Sequence, residues 1–446
     1  MTRTLELALV GMMALAVLAF GGTEPISYAS LQVVLFAAAI CLITSGPVSL
    51  PPESLLFVSV PLGLLGIVLL QFVSLPGAGH VSLSIAPGNT LAHLLVLLTS
   101  LAAFLLTLSL GGRPRARQRI AYALLAIGGI EALYGLIQYL TGWQQIFSYV
   151  KIYSQNAASG TYINENHFAG LLEMILPFAL ALSLSQLESL GGPGKTAGLG
   201  LRRLLGRAES PRFLFWLAAS AILFLALIFS FSRMGILAAI CSLLWIFGIA
   251  ASLRLPRRMS AALALLFGLV GGALVLWVGP GPVIKRFGSL GQEAAMNGES
   301  RLAIWRDTTT LIRRHPWLGT GLGTFPIAYT SVQTAFLGKF VNHAHNDYLE
   351  LASDLGIPAA SVLFGAILYV PLRTVRRLHG IQRPFDRAIA LGSSGSIVAI
   401  LLHSLADFNL YIPANSMILC VILALALSVC PAQTAQAGAA QVGAAQ

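Results

Sequence analysis

The chain has 446 residues, of which 57% are hydrophobic and only 10% are charged. Soluble domains carry roughly 25% charged residues and about 45–50% apolar ones, so this chain lacks the polar surface that soluble domains of the same total length would need. With a mean hydropathy of +0.82, the composition excludes collagen-like, disordered, disulfide-framework and ordinary cytosolic proteins, and it predicts a polytopic membrane protein.

Twelve apolar runs are long enough to cross a membrane as helices, which need about 20 mostly apolar residues each. The first run follows Arg3 as a signal peptide would, but Gly-Gly-Thr-Glu stands where a small-residue cleavage site belongs, so we interpret it as a span. The predicted fold is an all-α polytopic membrane protein with about 12 transmembrane helices. In chain order the runs are 5–21, 28–45, 55–73, 90–110, 120–140, 166–187, 213–230, 235–252, 260–278, 355–372, 388–405 and 413–430.

The positions of Lys and Arg predict the side of each loop, because basic residues are enriched in cytoplasmic loops. With the N-terminus inside, 18 basic residues fall in inside segments and nine in outside segments. The net charge of +11 therefore indicates topology and not nucleic-acid binding. Both termini are predicted to be cytoplasmic, with residues 1–431 as a single transmembrane domain. The Ala-, Gln- and Gly-rich residues 432–446 are predicted to be a disordered cytoplasmic tail.

One predicted outside segment, residues 279–345, is much longer than most others. It carries seven of the nine outside basic residues and a net charge of +4. Long segments largely escape the charge rule, so its basic residues need another reason, and we expect them to bind an anion. We predict that the segment lies outside and is partly helical.

Within this segment, Ser300 begins a helical pattern that ends at His315, because proline follows. Arg301 lies in the first turn of this predicted helix and Arg306 in the second. The glycine-rich stretch 319–325 lacks the preceding strand and the following Lys-Ser/Thr of a phosphate-binding loop, which favours a plain turn.

Two histidines, His343 and His345, close the segment. Asp347 and Glu350 have the spacing of a capping box, so His345 is predicted just before a helix N-terminus. That end of a helix favours anions and disfavours imidazolium, so we predict a neutral His345 that can accept a proton. Two other interpretations stay open: histidines that only decorate a loop edge, and a His-x-His metal site, for which no Asp, Glu or Cys cluster stands nearby.

Ionisable residues within spans indicate function by default. Glu131 and Glu173 lie within spans five and six, and Glu131 can equally be a structural hydrogen-bond acceptor between helices. We predict that histidines, an arginine and the basic segment converge on one face. The outer ends of spans six, seven and eleven carry the polar set Asn166, His167, Arg233, His403 and Asp407.

Five motifs follow one another along the chain: Tyr162-Ile-Asn-Glu-Asn-His-Phe168, Ser232-Arg-Met-Gly235, Glu299-Ser-Arg-Leu-Ala-Ile-Trp305, His315-Pro-Trp-Leu-Gly-Thr-Gly321 and His345-Asn-Asp-Tyr-Leu349. In order, spacing and sidedness they resemble the O-antigen ligase and polymerase superfamily of membrane glycosyltransferases. The resemblance covers about residues 120–430. One departure is Met234, which stands within the Ser-Arg-Gly pattern of the family.

The resemblance implies a membrane glycosyltransferase C-type helical bundle in a bacterial inner membrane, with a periplasmic active site and without a metal or other cofactor. It implies that His345 is the essential catalytic residue and that Arg233 and Arg301 bind the diphosphate of an undecaprenyl-diphosphate-linked glycan. We interpret the remaining polar residues as supporting groups: His343, Asn346, Arg306, Asn166, His167, His403 and Asp407.

The chemistry agrees with this resemblance. A sugar linked to diphosphate has a good leaving group, so transfer needs a base for the acceptor hydroxyl and cations for the departing charge. Direct displacement would invert the anomeric centre. The leading prediction is an O-antigen ligase-like transfer to a lipid A-core acceptor, and the alternative is a polymerase of O-antigen or exopolysaccharide repeat units. A transporter or flippase of lipid-linked sugars is more distant, because we find no paired half-chain repeats.

Overall fold

The computed structural model describes residues 2–45, 54–73, 82–191, 210–252, 299–334 and 340–429. The predicted span 260–278, the first part of the predicted outside segment (279–298) and the predicted tail 432–446 lie outside these described residues. Eleven of the twelve predicted runs fall on described residues, and each coincides with a helix.

The helices before the long outside segment are, in chain order, α1 (Thr2–Leu18), α2 (Pro25–Thr44), α3 (Ser54–Leu70), α4 (Pro87–Gly111), α5 (Pro114–Thr141), α6 (Glu165–Gly191), α7 (Ser210–Phe229) and α8 (Arg233–Ser252). One short antiparallel hairpin, β1 (Gln145–Ile146) and β2 (Tyr149–Val150), lies between α5 and α6. The later helices are α9 (Glu299–Arg314), α10 (Asp347–Leu355), α11 (Ile357–Arg377), α12 (Pro384–His403) and α13 (Pro413–Ser428), with one helical turn at Phe325–Ala328.

Eight helices among the described residues are long and apolar enough to cross a membrane. Two further apolar helices, Phe57–Leu70 and Pro413–Ser428, are shorter than that criterion requires. The all-α polytopic prediction is therefore confirmed, while the number of 12 spans stays a prediction.

Helix α6 forms the centre of the bundle, since every residue of its apolar window is buried. It packs against α12, where small residues let the two backbones approach closely. A Cβ atom at Gly392 would lie 2.9 Å from the Cα atom of Phe178, and the Ser396 hydroxyl donates to the carbonyl of Met174. This close approach brings polar side chains of α6 and α12 within reach of each other.

A buried ion pair joins the helix ends that are predicted to be cytoplasmic. Arg117 at the start of α5 contacts Asp386 at the start of α12, with 2.8 Å between Nη2 and Oδ2. Its Nη1 also donates to the carbonyl of Ser428 at the end of α13, at 3.1 Å. These contacts hold three predicted inside ends together, opposite the end where the loops below converge.

The glycine-rich stretch is a turn, as predicted, and its backbone amides are bonded within the protein. Gly323 donates to Asp354 Oδ2 at 2.7 Å, and Leu322 donates to Gln71 Oε1 at 2.9 Å. Gly319 and Gly321 have φ angles of +67° and +118°, a region in which glycine has no steric penalty. The turn returns the chain from α9 toward the bundle.

The cap of α10 differs from the predicted capping box. The N-cap is Asn346, whose Oδ1 accepts from the backbone of Leu349, and Asp347 is the first helical residue. Glu350 does not bond back to the cap. Its Oε2 instead accepts from the backbone of Ala344 at 2.7 Å, because the chain before α10 folds back over the first turn of the helix. His345 lies just before the cap, as predicted.

Candidate active site

A cavity of about 1300 Å³ opens at one end of the bundle. Every segment that is predicted to lie outside, six in all, contributes to its wall. The six segments are represented by Thr23, Asn89, Asn164, Arg233, His345 and Asp407. The predicted convergence of polar groups on one face is therefore found in the structure.

Arg233 enters the cavity from the first turn of α8. Ser232 caps this helix, since its Oγ accepts from the backbone of Gly235 at 3.3 Å. A Cβ atom at Gly235 would lie 2.7 Å from the Cβ of Ala169 on α6, so glycine is what lets α8 begin this close to the centre. The positive end of the helix and a guanidinium together favour an anion in this part of the cavity. The intervening Met234 is accommodated as a lining residue.

Arg301 reaches the same cavity from the first turn of α9. Its Nη1 donates to the carbonyl of Ala406 at 3.2 Å. This bond fixes the guanidinium beside the loop that carries Asp407, while the group keeps further N–H donors. The two arginines predicted to bind diphosphate thus line one cavity, from two different helices.

His345 lies on the cavity wall with 34% of its side chain exposed. Its φ angle is +50°, which is uncommon for a residue with a side chain. The ring atom Nδ1 is buried and lies 3.6 Å from Asp407 Oδ1, so Nε2 is the nitrogen that can face the cavity. This distance is longer than a hydrogen bond.

Asp407 is buried among three imidazoles. Its carboxylate oxygens lie 3.6 Å from His345 Nδ1, 3.9 Å from His167 Nε2 and 4.0 Å from His403 Nε2. Burial acts to raise the pKa of Asp407, but the histidines, with His345 foremost, hold that pKa below the ordinary aspartate value. Asp407 is therefore an ionised group that can orient and stabilise a protonated imidazole.

His343 forms a second histidine–carboxylate pair. Its Nδ1 lies 2.7 Å from Glu350 Oε1, and its ring stacks on Phe408 with centroids 3.9 Å apart. Phe408 also packs edge-on against His167 and His345. His343 is thus held more tightly than His345, and both rings line the cavity.

Two of the predicted supporting residues do not line the cavity. Arg306 points away with 69% of its side chain exposed, and its Nη2 donates to Thr334 Oγ1 at 2.6 Å. Asn346 caps α10, and its Nδ2 donates to the carbonyl of Leu405 at 2.9 Å. Asn346 therefore acts on the site through the backbone next to His345.

Sequence reasoning missed several residues of the wall. Asn89 and His93 enter from the first turns of α4, and Phe408 and Tyr411 follow Asp407. His93 had a usable signal, since an ionisable residue inside an apolar run is a functional candidate. Phe408 and Tyr411 had no such signal in the sequence, because their place in the wall depends on contacts with rings that are distant in the chain.

A second cavity of about 500 Å³ is apolar and extends along the bundle. Its wall comes from α2, α3, α4, α10, α11 and α13, and leucine is the commonest side chain there. The polar and apolar cavities share the wall residues Thr23, His93, His343, Tyr411 and Ile412. The adjoining pair fits an amphiphile with a polar head and a hydrocarbon chain.

Within the part of the chain that the structure describes, no group of three or more His, Cys, Asp or Glu side chains is arranged to hold a metal ion. Among the described residues that line the cavity, the side chains with a permanent positive charge are Arg233 and Arg301. These planar forks suit the oxygens of phosphate groups.

Comparison with protein families gives one finding. Residues 218–364 match the family model described as O-antigen ligase. This range contains Arg233, Arg301, His343, His345 and Glu350, whereas Asp407 lies beyond it. The comparison with curated proteins gives no match.

Proposed function

We propose that this chain, a member of the O-antigen ligase superfamily, transfers a glycan from an undecaprenyl-diphosphate carrier to an acceptor hydroxyl at the periplasmic face of a bacterial inner membrane. Membership of the family implies a glycosyltransferase of the ligase or polymerase kind that acts in a membrane on a lipid-linked glycan and an acceptor. The finer assignments of donor, face and residue roles are ours.

One observation carries the proposal: two guanidiniums and a histidine–aspartate pair line one cavity. Arg233 and Arg301 come from α8 and α9, while His345 and Asp407 come from the ends of two other elements. These groups lie far apart in the chain and meet at one open cavity. Their chemistry matches a reaction that needs a base and a diphosphate clamp.

In the proposed reaction, His345 Nε2 removes the proton of the acceptor hydroxyl as its oxygen attacks the anomeric carbon. The bond between that carbon and the phosphate oxygen breaks, and its electron pair leaves with the carrier diphosphate. Arg233 and Arg301 hold the negative charge that develops there. Asp407 stabilises the imidazolium of His345 and keeps Nδ1–H directed toward itself, so that Nε2 is free to accept the proton.

The apolar cavity supports a substrate with a long hydrocarbon chain. It adjoins the polar cavity at His93 and His343, away from Arg233 and Arg301, which line only the polar one. A lipid-anchored glycan fits this pair of cavities. Both a ligase and a polymerase use such lipids, and we favour the ligase-like transfer to a lipid A-core acceptor, with polymerisation of repeat units as the alternative.

The test is transfer by the purified protein in detergent, with a polyprenyl-diphosphate glycan as donor. We expect the glycan to move to lipid A-core and the free carrier diphosphate to appear in equal amount. Longer glycans that remain on the carrier would identify a polymerase. The proposed transfer would be contradicted if the donor binds but its sugar–phosphate bond stays intact, both with lipid A-core and with a second carrier-linked glycan as acceptor.

A further inference from the structure

A glutamate and a histidine form a direct pair behind Asp407, inside the bundle. Glu173 Oε2 of α6 lies 3.0 Å from His403 Nδ1 of α12, and neither side chain is exposed to solvent. The other ring nitrogen, His403 Nε2, lies 4.0 Å from Asp407 Oδ2. The pair therefore continues a line of groups that begins at His345 on the cavity wall.

We infer that the Glu173–His403 pair is a proton-shifting charge buffer for His345. The proton that the pair shares lies on His403 while His345 is neutral, and it moves to Glu173 when His345 takes the proton of the acceptor. This inference rests on the proposed function, in which His345 is the base. Glu173 and His403 are positioning residues, because they act on the reaction through Asp407.

The proton shift follows from the position of the Asp407 carboxylate between two imidazole rings. Asp407 presents Oδ1 to His345 and Oδ2 to His403. While His345 is neutral, the charge of Asp407 favours a positive His403. Once His345 is protonated, its positive charge compensates the charge of Asp407. The state with neutral Glu173 and neutral His403 then has the lower free energy. Charges interact strongly in a poorly solvated interior, so this change is large enough to move a proton.

The shift balances without any other reactant. One proton moves from His403 Nδ1 to Glu173 Oε2 along their 3.0 Å contact, and the pair has a net charge of zero before and after. Burial makes an unpaired charge costly, which keeps the proton within the pair. The negative charge of Asp407 thus remains available to His345 when the reaction needs it.

The other charged and titratable groups described around Asp407 keep their identity in every variant below. His167 faces Asp407 from α6, and Arg301 of α9 bonds to the carbonyl of Ala406. The remaining groups come from α8, α10 and the segment before α10, and they are Arg233, Asp347, Glu350 and His343.

Glu131 provides a matched comparison within the same chain. It is also fully buried in a span, but both of its oxygens accept from Thr161, at 2.9 Å from the backbone amide and 2.7 Å from the hydroxyl. In Glu173, only Oε2 is bonded, and Oε1 has no hydrogen-bond partner among the described residues. Glu131 therefore has the local bonding of a structural group, and Glu173 does not.

The experiment compares Glu173→Gln, His403→Gln and the control Glu131→Gln in the full-length protein. The pH dependence of His345 acylation by diethyl pyrocarbonate is followed by mass spectrometry, because the reagent attacks neutral imidazole. Transfer rate is measured over the same pH range. We expect both Glu173→Gln and His403→Gln to move the midpoint at His345 upward by about one pH unit, because each removes the positive charge that competes for Asp407. Glu131→Gln should leave the midpoint in place.

Unchanged midpoints in both test variants would overturn the inference. The inference would also be overturned if neither test variant gives folded protein while Glu131→Gln does, because the Glu173–His403 pair would then be needed for folding. Acylation reports on His345 without substrate, so it tests the buffer even if no transfer is seen. An active His345→Ala would contradict the proposed function and leave the acylation result standing as a separate finding.

Discussion

His345 owes its position to its backbone as much as to its ring. A left-handed conformation at a non-glycine residue costs on the order of 1–3 kcal/mol and is retained where the surroundings enforce it. Here Asn346 enforces it, because its side chain caps α10 and also bonds to the carbonyl of Leu405. The result is a ring whose Nδ1 faces Asp407 and whose other edge faces the cavity.

Substitution of the two histidines separates their roles. His345→Ala should lower the transfer rate by roughly 10²–10⁴, the usual contribution of a general base. His343→Ala should cost less, since that ring is bonded to Glu350 through Nδ1 and packs on Phe408. The measurement is the initial transfer rate at matched amounts of protein, with chelator present. A larger loss of transfer rate in His343→Ala than in His345→Ala would assign the general base to His343.

The arginines are tested by a change that keeps the charge. Arg233→Lys and Arg301→Lys remove the planar fork that can bind two phosphate oxygens at once, so each should slow transfer on the order of tenfold to a hundredfold. Arg313→Lys is the control, because Arg313 is exposed near the far end of α9. Donor concentration should be varied to separate binding from turnover. Wild-type rates in both test variants would mean that neither arginine clamps the diphosphate.

The pH dependence follows from which group titrates. Because the pKa of Asp407 is held below the ordinary aspartate value, its carboxylate stays ionised throughout the range in which histidines titrate, about pH 6–7. Transfer should decline as pH falls, because a protonated His345 can no longer accept the proton of the acceptor hydroxyl. Asp407→Asn should lower the rate and move the decline to lower pH, because a neutral amide no longer favours imidazolium. A decline at the same pH in Asp407→Asn would separate Asp407 from the base.

At the scale of elements, the glycine turn depends on a residue far away in the chain. Gln71, just beyond α3, donates through Nε2 to the carbonyls of Leu318 and Asp354, at 2.7 and 2.8 Å. Its Oε1 accepts from the backbone of Leu322. One buried amide thus joins α3, the glycine turn and the C-terminal end of α10, and it fixes the base of the segment that carries His345.

Gln71→Ala should lower the stability of this junction. It removes the partner of the Leu322 amide and of the Leu318 carbonyl, whereas the Asp354 carbonyl keeps its bond from the Gly321 amide. Each buried group left unsatisfied costs about 1–3 kcal/mol. We expect a lower midpoint of thermal unfolding in detergent and a slower transfer rate. Gln118→Ala is the control, since the Gln118 amide makes a single contact of 3.2 Å to the hydroxyl of Tyr122. Equal unfolding midpoints for the two variants would show that the Gln71 bonds do not hold the segment.

The membrane-spanning helices were predictable from the sequence, because apolar runs of about 20 residues usually form such helices. The helix from Ser300, the turn at 319–325 and the position of His345 before a helix were predicted correctly. The N-cap of α10 was predicted wrongly. Asn346 and Asp347 are both good N-cap residues, and the spacing to Glu350 alone favoured Asp347. The Gln71 contacts were beyond prediction, because they join residues separated by 247 and 283 positions.

For the whole molecule, the succession of predicted spans grouped the loops correctly. All six segments predicted to lie on the same side meet at one cavity, and the Arg117–Asp386 pair joins helix ends predicted to lie on the other. This grouping was predictable because each span takes the chain to the opposite side of the membrane, while the orientation inferred from basic residues stays a prediction. It could not give the pairing of Glu173 with His403, which depends on how closely α6 approaches α12.

The orientation of the bundle in the membrane is tested by labelling from the two sides. In a variant without its native cysteines, Thr330→Cys lies in the predicted outside segment and Gln382→Cys lies between α11 and α12, on the predicted inside. Both positions are exposed, so accessibility within the protein does not distinguish them. A membrane-impermeant thiol reagent added to cells with a permeabilised outer membrane should label position 330 and spare position 382, until the inner membrane is also opened. The reverse pattern would place the cavity in the cytoplasm, where a periplasmic transfer to lipid A-core could not take place.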